Sequence, residues 1–244
     1  MNEKLRVLDI FSGIGGFSLG LERTGGFETV AFCEIDPYCR AVLAKHWPHV
    51  PCHDDVRTLP LERGMADMVT AGFPCQDISH AGDRAGISGE RSGLWWKVRR
   101  AIRVVRPRLA LLENVAALLG RGMGTVLGSL AAIGYDASWD CIPAGELDAT
   151  HERDRVWIVA YPDETGREDV EGWTGSTQQT WREVLAANLS RSRVHGWPPE
   201  PEVDRVVYGL SADVDAVGAL GNSLVPQIPE LIGKAIMQAE GMTP

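Results

Sequence analysis

The sequence predicts an α/β fold in which a mostly parallel sheet carries helices on both faces, followed by a small additional region. Short apolar runs of strand length alternate with segments of helical spacing as far as about residue 162. The first run, residues 5–11, leads directly into the glycine-rich turn 12–16 and then into a helix. Several later runs end in a charged or reactive side chain. Because ligands of α/β proteins bind at the carboxyl ends of the strands, these side chains predict a functional site at one edge of the sheet.

The composition is typical of a soluble globular protein. Of the 244 residues, 44% are hydrophobic, which is enough for a sizeable core. We find no signal peptide, and no apolar run approaches the roughly 18 residues of a membrane span, so we expect a cytoplasmic protein. The five cysteines are scattered without a CxxC pair, which argues against a disulfide framework and against a zinc site. The net charge of −9 means that any nucleic acid must be held by a local basic surface.

The N-terminal unit predicts a cofactor that contains a nucleoside. Glycines in the turn SGIGG allow a close approach to a ligand, although Ser18 stands where a dinucleotide-binding pattern has its third glycine. The second strand, residues 28–35, brings Glu34 about twenty residues beyond those glycines, the usual separation for an acid that accepts ribose hydroxyls. A solvated acid at a strand end is the alternative.

The next elements lead to a lone thiol. Asp36 and Pro37 predict the start of a helix, and residues 49–53 predict a short strand before Asp55. The apolar run 66–74 then predicts a buried strand that ends immediately before Cys75. A cysteine in that position is a candidate nucleophile, whereas a small buried hydrophobic residue is the commoner role of a free cysteine.

A long glycine-rich segment and a basic helix follow. Residues 77–93 lack periodicity, and a loop of that length is usually either a functional lid or disordered. Residues 94–108 have the spacing of an amphipathic helix with cations at Lys97, Arg99, Arg100 and Arg103. This surface is either solvated or in contact with phosphates.

Residues 108–115 predict a further buried strand, which ends in Glu113. An acid at the end of a leucine-rich strand is poorly solvated, so we expect a raised pKa and a role as a proton donor. After a predicted helix at 121–133 and a strand at 135–142, Arg153 and Arg155 precede the strand 156–161. Alternation puts both arginines on one side, where they require an anion or a paired carboxylate.

The chain then changes in character. Residues 163–217 are polar with three tryptophans, which argues for a small ordered region rather than for disorder. A final apolar helix must dock on the main domain. We therefore predict a catalytic and cofactor-binding domain at 1–162, a small recognition region at 163–217, and a returning segment at 218–244.

Together these motifs resemble the cytosine carbon-5 DNA methyltransferases over residues 5–161 and 218–240. In chain order the resemblance is carried by DIFSGIGGFSLGLE, EIDP, DDV, GFPCQ, ENV, ERDRVW and GNSLVP. It implies a Rossmann-like class I fold dependent on S-adenosylmethionine, and a substrate of double-stranded DNA. A cofactor without a pyrophosphate does not require the third glycine, which accounts for Ser18. The compact length resembles the enzymes of bacteriophages and prophages.

The resemblance also implies roles for individual residues. The catalytic residues would be Cys75, Glu113, Arg155 and, with less support from the pattern, Arg153. The cofactor would contact Phe11, Gly13, Ile14, Gly15, Gly16, Glu34, Ile35, Asp55, Val56, Leu94, Asn222 and Ser223. The flipped cytosine would contact Phe73, Pro74 and Gln76. No metal and no membrane partner is implied, and a monomer is favoured.

The implied reaction is covalent. Cys75 attacks carbon 6 of a flipped cytosine, Glu113 donates or shares a proton at ring nitrogen 3, and the arginines stabilise charge near the ring carbonyl. His151 stands where the family usually has glutamine. The recognition region is small, and Trp173, Gln178, Gln179, Trp181 and Arg182 either contact DNA or form a hydrophobic anchor. The rival functions are a tRNA cytosine methyltransferase, a nicotinamide dehydrogenase and a catalytically silent DNA-binding relative.

Overall fold

A computed structural model describes residues 3–73, 93–147, 154–164, 181, 183–187 and 224–242. The strands are β1 (Leu5–Ile10), β2 (Phe27–Cys33), β3 (Cys52–His53), β4 (Met68–Gly72), β5 (Leu109–Val115), β6 (Tyr135–Pro143) and β7 (Asp154–Pro162). The helices are α1 (Gly16–Glu22), α2 (Pro37–His46), α3 (Gly93–Val105), α4 (Leu118–Arg121), α5 (Met123–Ala131) and α6 (Gln227–Ala239), with a 3₁₀ turn at Ala144–Leu147.

The seven strands form one sheet in the order β3-β2-β1-β4-β5-β7-β6. Neighbouring strands from β3 to β5 are parallel, whereas β7 runs antiparallel to both β5 and β6. The predicted α/β fold with a mostly parallel sheet is therefore confirmed. The chain order reverses between β1 and β4, which places the carboxyl ends of those strands at the point where α/β proteins bind ligands.

Alternate residues of the central strands build two separate cores, one on each face of the sheet. On the first face, Val7, Met68 and Trp157 pack with α1 and α6, and we call this the α1 face. On the opposite face, Leu8, Val69 and Leu112 pack with α3 and α5, and we call this the α3 face. Because both faces are covered, the central strands consist almost entirely of buried apolar residues.

Helix α2 begins as its sequence predicts. Asp36 is the N-cap residue, its Oδ1 accepts a hydrogen bond of 2.9 Å from the backbone N–H of Cys39, and Pro37 occupies the first turn. The helix predicted at 121–133 is confirmed as α5, Met123–Ala131, which begins two residues later than predicted. Gly122 takes a φ of −158°, outside the helical region, and separates α4 from α5.

The C-terminal helix docks on α1 and its face of the sheet, as predicted. Helix α6 crosses α1 at Gly20, where a Cβ atom would clash with the carbonyl oxygen of Pro226 and lie 2.7 Å from Cγ of Pro229. Gly233 lies against Leu21 in the same contact, with 3.0 Å between its ideal Cβ position and Cδ2 of Leu21. Glycine at these positions allows the two helices to approach closely enough to exclude water between them.

Trp181 belongs to the core of the α1 face. Its side chain is fully buried, and its Nε1–H donates a hydrogen bond of 2.8 Å to Oγ of Ser138. Leu185 is buried in the same cluster. The prediction that Trp181 contacts DNA is wrong, because a ring with no exposed surface cannot reach a groove. The alternative role, a hydrophobic anchor, is the one observed. Trp173, Gln178, Gln179 and Arg182 lie outside the described residues.

Candidate active site

The turn after β1 contains three residues with positive φ, a strained backbone conformation for any residue other than glycine. Phe11 has a φ of 57°, which is costly for a residue with a Cβ atom, and Gly13 and Gly15 have φ values of 54° and 87°. The amides of Phe11 and Ser12 donate to the carbonyl oxygen of Cys33, at 2.8 and 3.3 Å, so β2 holds the start of the turn. No neighbouring atom lies within 4 Å of the ideal Cβ position at Gly13. The turn is therefore strained and open at its tip.

Glu34 fixes this turn from the end of β2. Its Oε2 accepts a hydrogen bond of 2.7 Å from the amide of Gly13, and its Oε1 accepts one of 2.8 Å from the amide of Asp36. Sequence reasoning placed Glu34 beside the turn but did not predict that it ties the turn to the start of α2. Each carboxylate oxygen has two lone pairs, so a ribose hydroxyl can still donate to this carboxylate.

Trp47 supports the turn from below. Its ring atoms lie 2.7 and 2.8 Å from the ideal Cβ position of Gly15, so any larger residue there displaces the indole or the turn. Its Nε1–H donates a 2.8 Å hydrogen bond to Oε2 of Glu22 in α1, and its ring packs against Phe32. A requirement for glycine at position 15 thus follows from packing as well as from its positive φ.

Ile35 and Asp55 follow the neighbouring strands β2 and β3. The Ile35 side chain is 65% exposed, so its apolar surface is open to a ligand. Both oxygens of Asp55 accept hydrogen bonds of 2.9 Å from Nε of Arg57, and this guanidinium lowers the pKa of Asp55. The Val56 side chain packs in the core of the α3 face, where it is 6% exposed.

The C-terminal segment returns to the same turn. Leu224 lies against Gly16, with 2.9 Å between its Cδ1 atom and the ideal Cβ position of the glycine. Asn222 and Ser223 immediately precede Leu224 but lie outside the described residues. The contact at Gly16 brings the end of the chain to the N-terminal turn, which is what the predicted role of those two residues requires.

Glu113 and Arg155 form an ion pair at the carboxyl end of β5. Nε of Arg155 lies 2.8 Å from Oε1 of Glu113, and the two side chains are 21% and 13% exposed. Oε2 of Glu113 lies 3.4 Å from the ideal Cβ position of Gly72, the last residue of β4 and the register partner of Glu113. Phe17 of α1 borders the same position. The prediction that an arginine here meets a carboxylate is confirmed for Arg155.

A side chain of β5 fixes the end of the neighbouring strand β4, which leads to Cys75. The Asn114 side chain is buried, and its Nδ2 donates a 3.0 Å hydrogen bond to the carbonyl oxygen of Phe73. Its Oδ1 accepts a hydrogen bond of 2.8 Å from the amide of Val115. The ring of Phe73 packs against Trp95, with 5.0 Å between the ring centroids. Asn114 therefore fixes the backbone two residues before the thiol, a role that sequence reasoning missed.

Part of the predicted site falls outside the described residues. Pro74, Cys75, Gln76 and Arg153 lie outside the described residues, as do 77–92 of the predicted lid and His151. Leu94 lies in the first turn of α3 and packs against the core of the α3 face. Within the described part of the chain, no group of three or more His, Cys, Asp or Glu residues could hold a metal ion. No helix in that part is long and apolar enough to cross a bilayer.

One further carboxylate was not predicted at all. Asp9, in β1, is completely buried on the α1 face, and its Oδ2 and Oδ1 accept hydrogen bonds from Ser18 Oγ at 2.9 Å and Thr70 Oγ1 at 2.7 Å. Burial raises the pKa of Asp9 to about 7, against the opposing effect of these two hydrogen bonds. The sequence does not show that Asp9 is paired, because its partners Ser18 and Thr70 lie nine and sixty-one positions away.

Comparisons with known proteins agree with this arrangement. A family model of the C-5 cytosine-specific DNA methylase matches residues 5–194. The chain is 39% identical over 164 residues to the type II methyltransferase M2.BsuMI of Bacillus subtilis, an alignment that covers 64% of this chain and 42% of that protein. It is 31% identical over 169 residues to M.DsaV of Dactylococcopsis salina, covering 68% and 48%. The chain thus spans less than half the length of these relatives.

Solved structures show the same fold. The crystal structure of the Schizosaccharomyces pombe Dnmt2 methyltransferase superposes with a TM-score of 0.65 over 96% of this chain and 99% of that one, at 15% sequence identity. The match to the family model extends over residues 5–194, well over half of the chain. The chain therefore belongs to the C-5 cytosine-specific DNA methylase family.

Proposed function

We propose that this chain transfers a methyl group from S-adenosylmethionine to carbon 5 of cytosine in duplex DNA, through a covalent bond to Cys75 and with the target base flipped out of the helix. The observation that carries the proposal is the Glu113–Arg155 ion pair, which lies beside Gly72 at the end of the strand that leads to Cys75. Family membership supports the reaction type.

The described residues fit S-adenosylmethionine. The open tip at Gly13 admits the methionine part, and Glu34 offers a carboxylate for the ribose hydroxyls. The exposed side chain of Ile35 offers an apolar surface for one face of the adenine ring, with Asp55 at the ring edge. Leu224 lies against Gly16 of the same turn, and Asn222 and Ser223, which precede it in the chain, would close the pocket. When bound, the cofactor supplies an electrophilic methyl group attached to a positively charged sulfur.

Cys75 would begin the reaction on the flipped base. Its thiolate forms a bond to carbon 6 of the cytosine ring, because carbon 5 is too weak a nucleophile to accept a methyl group directly. The electron pair displaced from the ring double bond moves towards carbon 5. After carbon 5 has accepted the methyl group, a base removes its proton and the cysteine is eliminated, which restores both the ring and the thiolate.

Glu113 and Arg155 would act on the opposite edge of the ring. Glu113 holds or shares a proton at ring nitrogen 3, where negative charge develops during the attack of the thiolate. Arg155 keeps the Glu113 carboxyl group in place and donates towards the ring carbonyl oxygen. Arg153 would assist from the same side. Pro74, Gln76 and the backbone before them would line the base, with residues 77–93 as the lid.

We propose that a small recognition region lies between 163 and 217. Trp181 and Leu185 anchor its middle in the core of the α1 face, so the catalytic domain and this region share packing. We propose that the polar residues between these anchors and the C-terminal segment contact DNA. Such a short region is consistent with loose sequence preference or with a need for a second subunit.

The proposal is tested by trapping the covalent intermediate. DNA that contains 5-fluorocytosine cannot lose the substituent from carbon 5 as a proton, so the enzyme should remain bonded to it and survive denaturing electrophoresis. Cys75→Ala should abolish both trapping and methyl transfer while keeping cofactor affinity. Cys141→Ala, which removes an exposed thiol on β6, is the matched control and should behave as wild type.

The rival functions give different results in the same assay. Methylation of tRNA but not of duplex DNA would identify a tRNA methyltransferase. Binding of the cofactor without any methyl transfer would identify a catalytically silent relative. Binding of a nicotinamide dinucleotide in place of S-adenosylmethionine would identify a dehydrogenase. Methyl transfer by Cys75→Ala at the wild-type rate would overturn the covalent mechanism.

A further inference from the structure

The buried carboxylate of Asp9 has no part in the proposed reaction. Its side chain has no exposed surface, and it lies one residue before the end of β1, directly under the N-terminal turn. Both oxygens are used: Oδ2 accepts from Ser18 in α1, and Oδ1 accepts from Thr70 in β4. One carboxylate thus joins three elements that meet at the proposed active site.

The backbone of Asp9 joins the same elements. Its carbonyl oxygen accepts a 2.7 Å hydrogen bond from Oγ of Ser12, the first residue of the SGIGG turn. In the sheet, Asp9 is the register partner of Thr70, which lies two residues before Gly72, the register partner of Glu113. Ser12 and Ser18 bracket the turn, so the backbone and the side chain of Asp9 hold it at both ends.

A carboxylate buried in this way destabilises the fold, so stability does not explain its presence. Burial of a charged group among apolar residues is costly, and both of these hydrogen bonds come from neutral hydroxyls, which do not cancel the charge. A pKa of about 7 for Asp9 reflects the same cost. Departures from the apolar pattern of a core strand are expected where function requires them. Ser18, which departs from the dinucleotide-binding pattern, has its explanation here, since its hydroxyl bonds to Asp9.

We propose that Asp9, with Ser18 and Thr70, is a positioning residue that holds the cofactor turn at a fixed place relative to β4, and thereby relative to Glu113 and Cys75. We refer to these three residues as the Asp9 brace. The proposal rests on the proposed use of S-adenosylmethionine. The brace lies beneath the turn and does not replace any residue that contacts the cofactor.

Thr70 offers the sharpest test, because two substitutions separate the hydroxyl from the packing. Thr70→Val keeps the shape but removes the donor, whereas Thr70→Ser keeps the donor but removes a methyl group. If the brace positions the turn, Thr70→Val should weaken S-adenosylmethionine binding about tenfold, the effect of losing one hydrogen bond to a charged group. Thr70→Ser should stay within about threefold of wild type, although it loses more packing volume.

The second measurement requires no cofactor. Hydrogen exchange of the backbone amides in residues 11–18 should be faster in Thr70→Val and in Asp9→Asn than in Thr70→Ser. The kcat at saturating cofactor should fall less than the affinity, because the reacting residues remain in place. Ser129→Ala, which removes a buried hydroxyl on the α3 face that accepts from Trp95 Nε1 at 3.0 Å, controls for general loss of stability.

The outcomes separate this inference from the proposed function. If wild-type protein fails to bind S-adenosylmethionine, the proposed function and the inference both fail. If wild type binds and methylates DNA, but Thr70→Val equals Thr70→Ser in affinity and in exchange, the brace fails alone. An equal change of exchange in residues 11–18 of Ser129→Ala would also overturn the brace, because the effect would then be one of global stability.

Discussion

Nε of Arg155 lies 2.8 Å from Oε1 of Glu113, although the two residues are not register partners. In the antiparallel pair of β5 and β7, Glu113 is opposite Trp157 and Arg155 is opposite Val115. The ion pair is therefore diagonal and leans along the strands. This geometry places the guanidinium and the carboxylate together at the edge of the sheet where β4 ends.

Arg155→Ala should lower the single-turnover rate of methyl transfer by about 10²–10³-fold, the usual effect of removing one donor from a charge-stabilising site. Arg155→Lys should retain part of the rate, since it keeps the charge but not the planar donor geometry. The rate is measured with saturating cofactor and DNA.

Arg108→Ala is the matched control for that experiment. Arg108 also pairs with an acid, Glu240, at 2.6 Å, but it lies just before the opposite end of β5. Its loss should lower the free energy of unfolding without changing the rate per folded molecule, because a largely buried Glu240 loses a charged partner. Equal rates for wild type and Arg155→Ala would contradict the assigned role.

Ile35→Ala should weaken S-adenosylmethionine binding roughly three- to tenfold, as expected when the apolar area covered by the adenine ring shrinks. Stability should change by less than about 0.5 kcal/mol, because the side chain is mostly exposed in the absence of a ligand. Calorimetric titration measures the first effect, and urea unfolding the second. Leu119→Ala, which trims another exposed aliphatic residue on α4, should leave affinity unchanged.

Gly20→Ala should lower the free energy of unfolding by about 1–3 kcal/mol, the usual cost of overpacking, because its Cβ atom would clash with the carbonyl oxygen of Pro226. Backbone cannot move aside as a flexible side chain can, so α6 must shift from α1. Since Leu224 lies one turn away against Gly16, cofactor affinity should fall as well.

Gly128→Ala provides the control for Gly20→Ala. Gly128 lies within α5 and has no neighbouring atom within 4 Å of its ideal Cβ position. Alanine there should raise stability by about 0.5–1 kcal/mol through helix propensity alone. Loss of stability in both variants would show that the α1–α6 contact is not the cause.

The pH dependence of stability should carry the signature of Asp9. The pKa of Asp9 is raised by burial to about 7, so the neutral form is favoured by folding, and its contribution to stability is complete below about pH 4. That contribution is lost as the pH rises through about 7. Glu34 adds to the shift through its negative charge, whereas Thr70 and Ser18 oppose it.

Asp9→Asn removes this titration. From pH 5 to pH 8, the stability of the variant relative to wild type should therefore improve, by at most about 3 kcal/mol. Urea unfolding at the two pH values measures the difference. A constant difference across this range, or a change in the opposite direction, would contradict the assignment of a raised pKa to Asp9.

The order of the elements could be predicted because each central strand is a short apolar run that ends at a polar residue. Leu109–Val115 and Met68–Gly72 were recognisable in this way, and their parallel pairing then brought Glu113 beside Gly72. The cofactor turn was predicted for the same reason, since its glycines directly follow a strand. Local pattern therefore located most of the described site.

Contacts between distant residues could not be predicted in this way. The bond from Asn114 to the carbonyl of Phe73, and those from Ser18 and Thr70 to Asp9, depend on which atoms face each other across strands. The role of Trp181 was ambiguous in the sequence, because aromatic residues both pack in hydrophobic cores and contact DNA. Only its full burial decides between them. The break at Gly122 depends on the backbone conformation that its surroundings select.

The burial of Trp181 limits how this protein can be re-engineered. A chimera that exchanges the whole of 163–217 for the corresponding region of a relative would remove the indole that fills the α1 face and bonds to Ser138. It would open a cavity in the catalytic domain. Grafts that keep Trp181 and Leu185 and begin after Ala187 preserve the host core, so the transferable unit is shorter than the boundary of the polar region indicates.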